Sequence, residues 1–191
     1  MINETDGKTM YEYDDDIEKI IFTHTDIIDM VDTLGAELSR DYQGKNPLLV
    51  VVLKGSMIFA ADLVRRLSIN CEIDFMVVSS YVGTQSTGSI NIIQDLRTDI
   101  ADRDVIIVED IIDSGITLCS LKQLLESRAP RSVKICTLLD KPSGRKAPIT
   151  VDYVGGTVGD EFIVGYGLDY NEKYRNISYI GVLKESVYSH N

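Results

Sequence analysis

The chain contains few of the residues from which disulfide, zinc and triad sites are built. It has three cysteines, without a C-x-x-C pair, and two histidines. The cysteines lie in or beside apolar stretches, so we expect buried, reduced thiols instead of disulfides or a zinc site. Two histidines leave little material for a Ser-His-Asp triad or a histidine-rich metal site. Any catalysis is therefore expected to rest on carboxylates, lysines and a hard metal ion.

Long apolar runs and an excess of basic charge are also absent. The longest aliphatic run, Leu48 to Leu53, is far too short to span a bilayer, and the polar, acidic first residues do not resemble a secretory signal. The 19 basic and 30 acidic side chains give a net charge of -11, which disfavours general binding to nucleic acid. We expect a cytoplasmic protein that binds neither membrane nor nucleic acid, in which a local basic pocket could still hold a small anion.

The apolar pattern predicts one folded domain at residues 17–191, preceded by a mobile acidic tail at residues 1–16. Apolar residues at i, i+4, i+7 and i+11 from Ile27 predict a helix that Thr25 or Asp26 would cap. Short strands alternate with helical patterns, with strands predicted at 48–53, 75–79, 90–94, 105–108 and 133–139. This rhythm predicts an α/β fold with a central, mostly parallel twisted sheet flanked by helices. Ligands bind such sheets beyond the carboxyl ends of the strands.

The segment after one predicted strand carries the clearest chemical signal. Val105 to Val108 is followed by two acids, two isoleucines and then Asp-Ser-Gly-Ile-Thr, which leads into a helix. A small Ser/Gly/Thr loop at a helix start offers backbone N–H groups and a positive dipole end to a phosphate. Taken alone, such a loop is more often a plain N-cap; acids at the mouth of a buried strand favour the phosphate interpretation. The chain has neither a G-x-x-x-x-G-K-[ST] motif nor a strand that leads into G-x-G-x-x-G, which disfavours a P-loop NTPase or a Rossmann dehydrogenase.

Residues 105–117 resemble the phosphoribosyl pyrophosphate (PRPP) motif of type I phosphoribosyltransferases, in which two acids and two aliphatic residues precede D-[ST]-G-x-T. The resemblance implies that Glu109 and Asp110 face the ribose hydroxyls. It implies a 5-phosphate loop formed by Asp113, Ser114, Gly115, Ile116 and Thr117. It also implies that Asp113 is the general base, and that a small hood or flap is built from the chain ends.

Further segments resemble the 6-oxopurine branch of this family, so that the likeness covers about residues 48–183. Lys54 and Gly55 are similar to its pyrophosphate-binding loop, where the peptide before the glycine can be cis. Lys141 corresponds to a lysine that donates to the purine 6-oxo group; an ammonium favours an oxo over an amino substituent because it has only donors. Taken alone, Lys54 and Gly55 could form an ordinary turn, and Lys141 could be a solvated surface lysine.

The segment 160–175 is similar to the purine and pyrophosphate part of that branch. The likeness implies that Phe162 stacks on the base and that Ile163 pairs with it through its backbone. Asp169 would border the purine and bind Mg²⁺ near pyrophosphate, and Arg175 would contact pyrophosphate. The expected metal ligands are Glu109, Asp110 and Asp169. Core packing of Phe162 and a surface ion pair between Asp169 and Arg175 are the alternatives.

Ser80 and Tyr81 begin a Gly/Ser/Thr-rich stretch similar to the mobile loop that closes over this family's active site. The likeness implies a Mg²⁺-dependent enzyme of purine salvage. Its substrates would be PRPP and hypoxanthine or guanine, and it would act as a homodimer or homotetramer. One alternative is a PRPP-sensing regulator that binds nucleic acid, against which the net charge argues. Another is a phosphoribosyltransferase for xanthine, a pyrimidine or adenine, which Lys141 together with Phe162 disfavours.

Overall fold

The computed structural model describes residues 4–5, 8–9, 12–80 and 90–189, with side chains from residue 12 onward except that of Ser80. The strands are β1 (Glu4–Thr5), β2 (Lys8–Thr9), β3 (Ile17–Phe22), β4 (Leu48–Leu53), β5 (Glu72–Ser80), β6 (Ile90–Gln94), β7 (Asp104–Ile112), β8 (Ser132–Asp140), β9 (Tyr153–Thr157), β10 (Ile163–Val164) and β11 (Ile180–Leu183). The α-helices are α1 (His24–Asp41), α2 (Met57–Val64), α3 (Ile116–Glu126) and α4 (Glu185–Tyr188).

A six-stranded sheet, in the order β6-β5-β4-β7-β8-β9, forms the centre of the molecule. Its neighbouring strands run parallel, except that β6 pairs antiparallel with β5 at one edge. The aliphatic run of β4 is buried along almost its whole length, as expected for a strand covered on both faces. The helices α1 and α2 pack on one face and α3 on the other. The predicted α/β fold with a mostly parallel sheet is confirmed.

The cap of α1 differs from the prediction. Its N-cap is Thr23, so the expectation of Thr25 or Asp26 is wrong. The Thr23 hydroxyl accepts the backbone N–H of Asp26 at 3.2 Å, and the Asp26 carboxylate accepts the backbone N–H of Thr23 at 2.8 Å. Asp26 is thus the second partner of a reciprocal capping box, which explains why it looks like a start signal in the sequence. The predicted apolar face is buried; it consists of Ile27, Val31, Leu34 and Leu38.

The strand β7 is longer than its aliphatic run predicts. Its pairing with β8 continues from Glu109, opposite Thr137, to Ile112, opposite Asp140. The two acids of the motif therefore belong to the strand and not to the loop after it. Because side chains alternate along a strand, neighbouring acids point toward opposite faces of the sheet.

A second sheet, which we call the hood, has the strand order β10-β11-β3 and joins the two ends of the domain. The strand β11 lies between the other two and pairs antiparallel with both. The backbone N–H of Leu183 also donates to the carbonyl of Phe162 at 2.9 Å. The hood packs on the same core as α1 and α2, because Ile163, Ile180 and Val182 belong to that apolar cluster. This is the hood expected from the chain ends.

The segment before β3 contacts the hood region. The Tyr174 hydroxyl donates to the Asp16 carboxylate at 2.8 Å, and the backbone N–H of Lys184 donates to the Asp16 carbonyl at 2.9 Å. The rings of Tyr13 and Tyr174 meet edge to face with centroids 6.4 Å apart. Residues 1–3, 6–7 and 10–11 of the predicted tail lie outside the described residues. The boundary between tail and domain at residue 16 stays a prediction.

A buried carboxylate fastens the edge of the central sheet. Asp74 in β5 is 7% exposed. It accepts the backbone N–H groups of Phe75 and Arg97 at 2.8 Å and of Thr98 at 2.9 Å. Burial alone would raise the pKa of Asp74, but the donors of Thr98, Phe75 and Arg97 outweigh it and hold the pKa below its usual range. The ionised carboxylate therefore ties β5 to the segment after β6.

All three cysteines are unpaired thiols, as predicted. Cys136 is buried, whereas Cys71 and Cys119 are half-buried. Burial raises the pKa of the Cys71 thiol, which keeps it protonated. Within the described residues, no helix has the length and apolar character needed to cross a membrane.

Candidate active site

The carboxyl end of β7 holds the two acids of the motif beside two cavities. Asp110 lines a cavity of about 320 Å³, and Glu109 lines a hollow of about 170 Å³ next to the start of α3; Asp113 lines both. Burial and the neighbouring Asp110 raise the pKa of Glu109 well above its usual range. Burial also raises the pKa of Asp110 to about 6, against the opposing effect of the Ile111 N–H. The strand end therefore concentrates two acids; the nearby charge of Arg175 lowers the pKa of Asp110 but does not outweigh its burial.

The turn between β7 and α3 is shaped by Gly115. This residue is the N-cap of α3, and its φ of 73° lies in the left-handed region that glycine adopts without strain. The cap makes no side-chain hydrogen bond, so neither Asp113 nor Ser114 is the N-cap that the sequence left open. Ser114, Gly115 and Thr117 line the smaller hollow. The positive end of the α3 dipole lies there, which suits a phosphate.

The larger cavity brings together the residues predicted to bind the purine. Its lining consists of Asp110, Ile111, Asp113, Lys141, Glu161, Phe162, Ile163, Leu168 and Asp169. Phe162 is 37% exposed, so it is not a core residue as the alternative interpretation requires. Its ring stacks on Tyr188, with centroids 4.9 Å apart and an interplanar angle of 24°. Tyr170 meets the Phe162 ring edge-on at 5.6 Å and 90°.

Two backbone carbonyls hold the ammonium of Lys141. The Nζ atom donates to the carbonyl of Asp160 at 3.2 Å and to that of Glu161 at 3.1 Å. The backbone N–H of Lys141 donates to the Ile112 carbonyl at 2.9 Å, which ties the end of β8 to β7. An ammonium has three donors, so one remains for a ligand in the cavity. Lys141 is therefore not simply a solvated surface lysine.

The loop after β4 contains a cis peptide bond between Leu53 and Lys54. The sequence pointed to the peptide bond between Lys54 and Gly55, whereas the cis bond lies one residue earlier. Gly55 lies in close contact with two other segments: an added Cβ would overlap the carboxylate of Asp110, and a Cβ at Gly167 would overlap the Gly55 carbonyl. Three segments distant in sequence therefore meet here, and the glycines allow the close approach.

Arg175 and Lys54 supply the positive charge at this end of the site. Arg175 forms an ion pair with the Asp169 carboxylate and donates a hydrogen bond to the Gly167 carbonyl, each at 2.8 Å. Its Nε atom is buried and has no hydrogen-bond partner among the described residues. Lys54 pairs with Glu172 at 2.9 Å, with both side chains exposed. The ion pair between Asp169 and Arg175 that the sequence left open therefore exists, and its Asp169 side borders the cavity.

The acids of the site fit a hard cation that also takes oxygens from a bound ligand. Mg²⁺ prefers carboxylate and phosphate oxygens, and Oε2 of Glu109 is buried without a hydrogen-bond partner in the described part of the chain. Besides burial, repulsion by Asp169 raises the pKa of Asp110, so both carboxylates act on the same region. Within the described ranges, however, no three His, Cys, Asp or Glu side chains are close enough to hold a metal by themselves.

Most of the loop predicted to close over the active site lies outside the described residues. Tyr81 and residues 82–89 lie outside the described residues, and Ser80 is the last residue of β5, paired with Ile90. The role assigned to Ser80 and Tyr81 stays a prediction.

Sequence reasoning missed Arg145, which fastens the turn that carries Asp113. Its Nε donates to the Asp113 carbonyl at 3.0 Å, and its guanidinium also pairs with Asp140. Most of its acceptors are backbone carbonyls, so no residue-type pattern marks it. The cavity residues Glu161 and Leu168 were also missed, although both lie inside the 160–175 segment that pointed to their neighbours.

The family model described as "Phosphoribosyl transferase domain" matches residues 18–171, which is more than half of the chain. The chain therefore belongs to the phosphoribosyltransferase family.

Particular relatives narrow the class. The chain is 54% identical over 177 residues to the hypoxanthine-guanine phosphoribosyltransferase of Streptococcus pneumoniae (strain ATCC BAA-255 / R6), covering 92% of this chain and 98% of the relative. It is 54% identical over 175 residues to the enzyme of the same name from Streptococcus thermophilus (strain CNRZ 1066), covering 91% and 97%. The crystal structure of a hypoxanthine phosphoribosyltransferase from Staphylococcus aureus matches with a TM-score of 0.92 and 49% identity, over 95% of this chain and 99% of that one.

Proposed function

We propose that this chain transfers the 5-phosphoribosyl group of PRPP to hypoxanthine or guanine, which gives IMP or GMP and pyrophosphate. The observation that carries the proposal is the position of Asp113 between two cavities. One cavity contains Lys141 and Phe162, and the other lies at the start of α3. A purine and a ribose 5-phosphate bound in these cavities would meet beside Asp113.

The smaller hollow and the loops around it would bind PRPP. The N–H groups of the loop from Asp113 to Thr117 would bind the 5-phosphate at the positive end of α3. Glu109 and Asp110 would accept hydrogen bonds from the ribose hydroxyls. The pyrophosphate would contact Lys54, Gly55 and Arg175, whose buried Nε is a donor without a partner in the described residues.

The larger cavity would bind the purine. The remaining donor of Lys141 would bind the 6-oxo group, the ring of Phe162 would stack on the base, and the backbone of Ile163 would pair with it. Asp113 would accept the purine proton while the imidazole nitrogen bonds to the anomeric carbon and the bond to pyrophosphate breaks. This division of roles explains why Asp113 lines both cavities.

Asp110 and Asp169, which line the same cavity, would hold Mg²⁺ together with oxygens of PRPP, and Glu109 would act on the ion from the smaller hollow through the ribose hydroxyls. The ion supplies charge neutralisation for the departing pyrophosphate. The loop that begins at Ser80 and Tyr81 would close over the bound substrates and exclude water from the cation-like sugar.

We further propose a cytoplasmic homodimer or homotetramer. The unpaired thiols suit a reducing compartment. The edge of the central sheet exposes apolar side chains, with Ile73 45%, Phe75 41% and Ile93 66% exposed, and a second copy could cover them. A solution mass of two or four times 21.3 kDa by light scattering is the expected result.

The direct test is incubation with PRPP, Mg²⁺ and a panel of bases while pyrophosphate release is monitored. The panel consists of hypoxanthine, guanine, xanthine, adenine and uracil, and Asp113→Asn serves as the control for contaminating enzyme. We expect release with hypoxanthine or guanine and not with adenine. Pyrophosphate release with adenine or uracil but not with hypoxanthine or guanine contradicts the proposal. Release in the absence of any base contradicts it as well.

A further inference from the structure

We propose that Tyr188, in α4, is a positioning residue for purine binding: it holds the Phe162 ring in the plane on which the purine stacks. This inference rests on the role that the proposed function gives to Phe162. It adds to the purine site a residue that does not line the cavity and that no sequence motif pointed to.

The first step of the argument is the geometry of three rings. Phe162 and Tyr188 lie nearly parallel at 4.9 Å and 24°, within the range of stacked aromatic pairs. Tyr170 meets Phe162 edge-on at 5.6 Å and 90°, and Tyr188 at 6.4 Å and 67°. Each ring therefore contacts the other two, and Phe162 is restrained on one face and at one edge.

The second step concerns which face of Phe162 is covered. Phe162 lines the purine cavity, whereas Tyr170 and Tyr188 do not. Because Tyr188 covers one face of Phe162 without lining the cavity, the base would stack on the other face. Tyr188 supports the ring from behind and does not occupy the position of the purine.

The third step is that α4 itself is held in place. The Leu183 N–H donates to the Phe162 carbonyl at 2.9 Å, and the next residue, Lys184, donates its N–H to the Asp16 carbonyl at 2.9 Å. The backbone of Phe162 and the start of α4 are thus fixed relative to each other. A ring that is already oriented loses less conformational entropy when the base binds, so the effect should fall on purine binding.

The test compares Tyr188→Ala and Tyr188→Phe in the full-length protein. For Tyr188→Ala we expect KM for hypoxanthine to rise about threefold to tenfold, as the loss of one aromatic pair implies. We expect KM for PRPP and kcat to change by less than about twofold, because neither depends on the Phe162 ring plane. Tyr188→Phe keeps the ring and should restore KM for hypoxanthine to the wild-type value.

Val187→Ala is the matched control. Val187 lies in the same short helix and, like Tyr188, packs against a small apolar cluster formed by Val164, Tyr174, Ile177 and Leu183. Its truncation therefore reports a general loss of helix packing. We expect a lower unfolding midpoint with an unchanged KM for hypoxanthine. An equal rise in that KM for Val187→Ala would overturn the proposal, because the effect would then be one of helix packing.

A double variant separates this inference from the proposed function. If Phe162→Ala raises KM for hypoxanthine, Tyr188→Ala added to it should raise the KM no further, since Tyr188 acts through Phe162. If Phe162→Ala leaves KM for hypoxanthine unchanged, Phe162 does not bind the purine, and this inference fails together with that role. If Phe162→Ala raises KM for hypoxanthine and Tyr188→Ala leaves it unchanged, this inference is overturned while the proposed function stands. A lower KM for hypoxanthine in Tyr188→Ala would also overturn it, because Tyr188 would then compete with the base.

Discussion

Lys141→Ala is expected to lower kcat/KM for hypoxanthine by about 10- to 150-fold. The ammonium donates to the carbonyls of Asp160 and Glu161, so one of its three donors is left for the 6-oxo group. A hydrogen bond to a charged group contributes about 1.5 to 3 kcal/mol, which corresponds to the stated range at about 1.4 kcal/mol per tenfold change. Water can replace the ammonium at the two carbonyls, so the fold should be little affected.

The assay is steady-state pyrophosphate release with varied hypoxanthine and saturating PRPP. Lys146→Ala is the control, because Lys146 is an exposed lysine of the same region that does not line the cavity. KM for PRPP should stay close to the wild-type value in both variants. Lys141→Gln, which carries both a donor and an acceptor, should narrow the preference for hypoxanthine over adenine. A wild-type kcat/KM for hypoxanthine in Lys141→Ala would refute this role of the lysine.

Three further changes have distinct expected results. Asp113→Asn should lower kcat by about 10² to 10⁴ with a modest loss of PRPP binding, because it removes the base; an unchanged kcat in single-turnover measurements would exclude that role. Gly55→Ala should raise KM for PRPP at least about tenfold, because its methyl group displaces the Asp110 carboxylate; a wild-type KM would show that this carboxylate can move freely. Asp74→Asn should lower the free energy of unfolding by about 1 to 3 kcal/mol near neutral pH, because it leaves buried N–H groups without a full partner. The Asp74 pKa is depressed in the folded state, so this difference should be present above about pH 4 and fade as the pH falls through the folded pKa; denaturant titrations with a pH-independent difference would contradict the assignment.

The central sheet could be predicted because its strands are marked locally. Strands covered on both faces are continuous aliphatic runs, and β4 and the first half of β7 are of this kind; β8 is also mostly buried, although Lys134 and Thr137 interrupt its apolar residues. The acids lie at the end of such a strand and the phosphate loop follows it, so their position at the carboxyl end of the sheet could be inferred from neighbouring residues. The end of β7 could not be predicted in this way, because the strand stops where its pairing with β8 stops and not where the aliphatic run ends.

The hood could not be derived from patterns. The strand β10 has two residues and β11 has four, and their partners are distant in sequence. The strand β9, Tyr153–Thr157, contains two glycines, which disfavour strands, so only its pairing with β8 defines it. The carbonyl partners of Lys141 and the location of the cis peptide are backbone features that residue type does not mark.

The pairing of β3 with β11 brings Ile17 next to Leu183, so the hood is closed by nearly the whole length of the domain. Closing so long a loop costs more chain entropy than pairing neighbouring elements, and the burial of all four residues of β11 offsets that cost. The hood carries Ile163 and is hydrogen-bonded to Phe162, whereas the acids of β7 and the loop before α3 belong to the central sheet and the turn that follows it. The ring and the backbone proposed to contact the base are therefore held by a different sheet from the acids and the loop proposed to bind the ribose 5-phosphate.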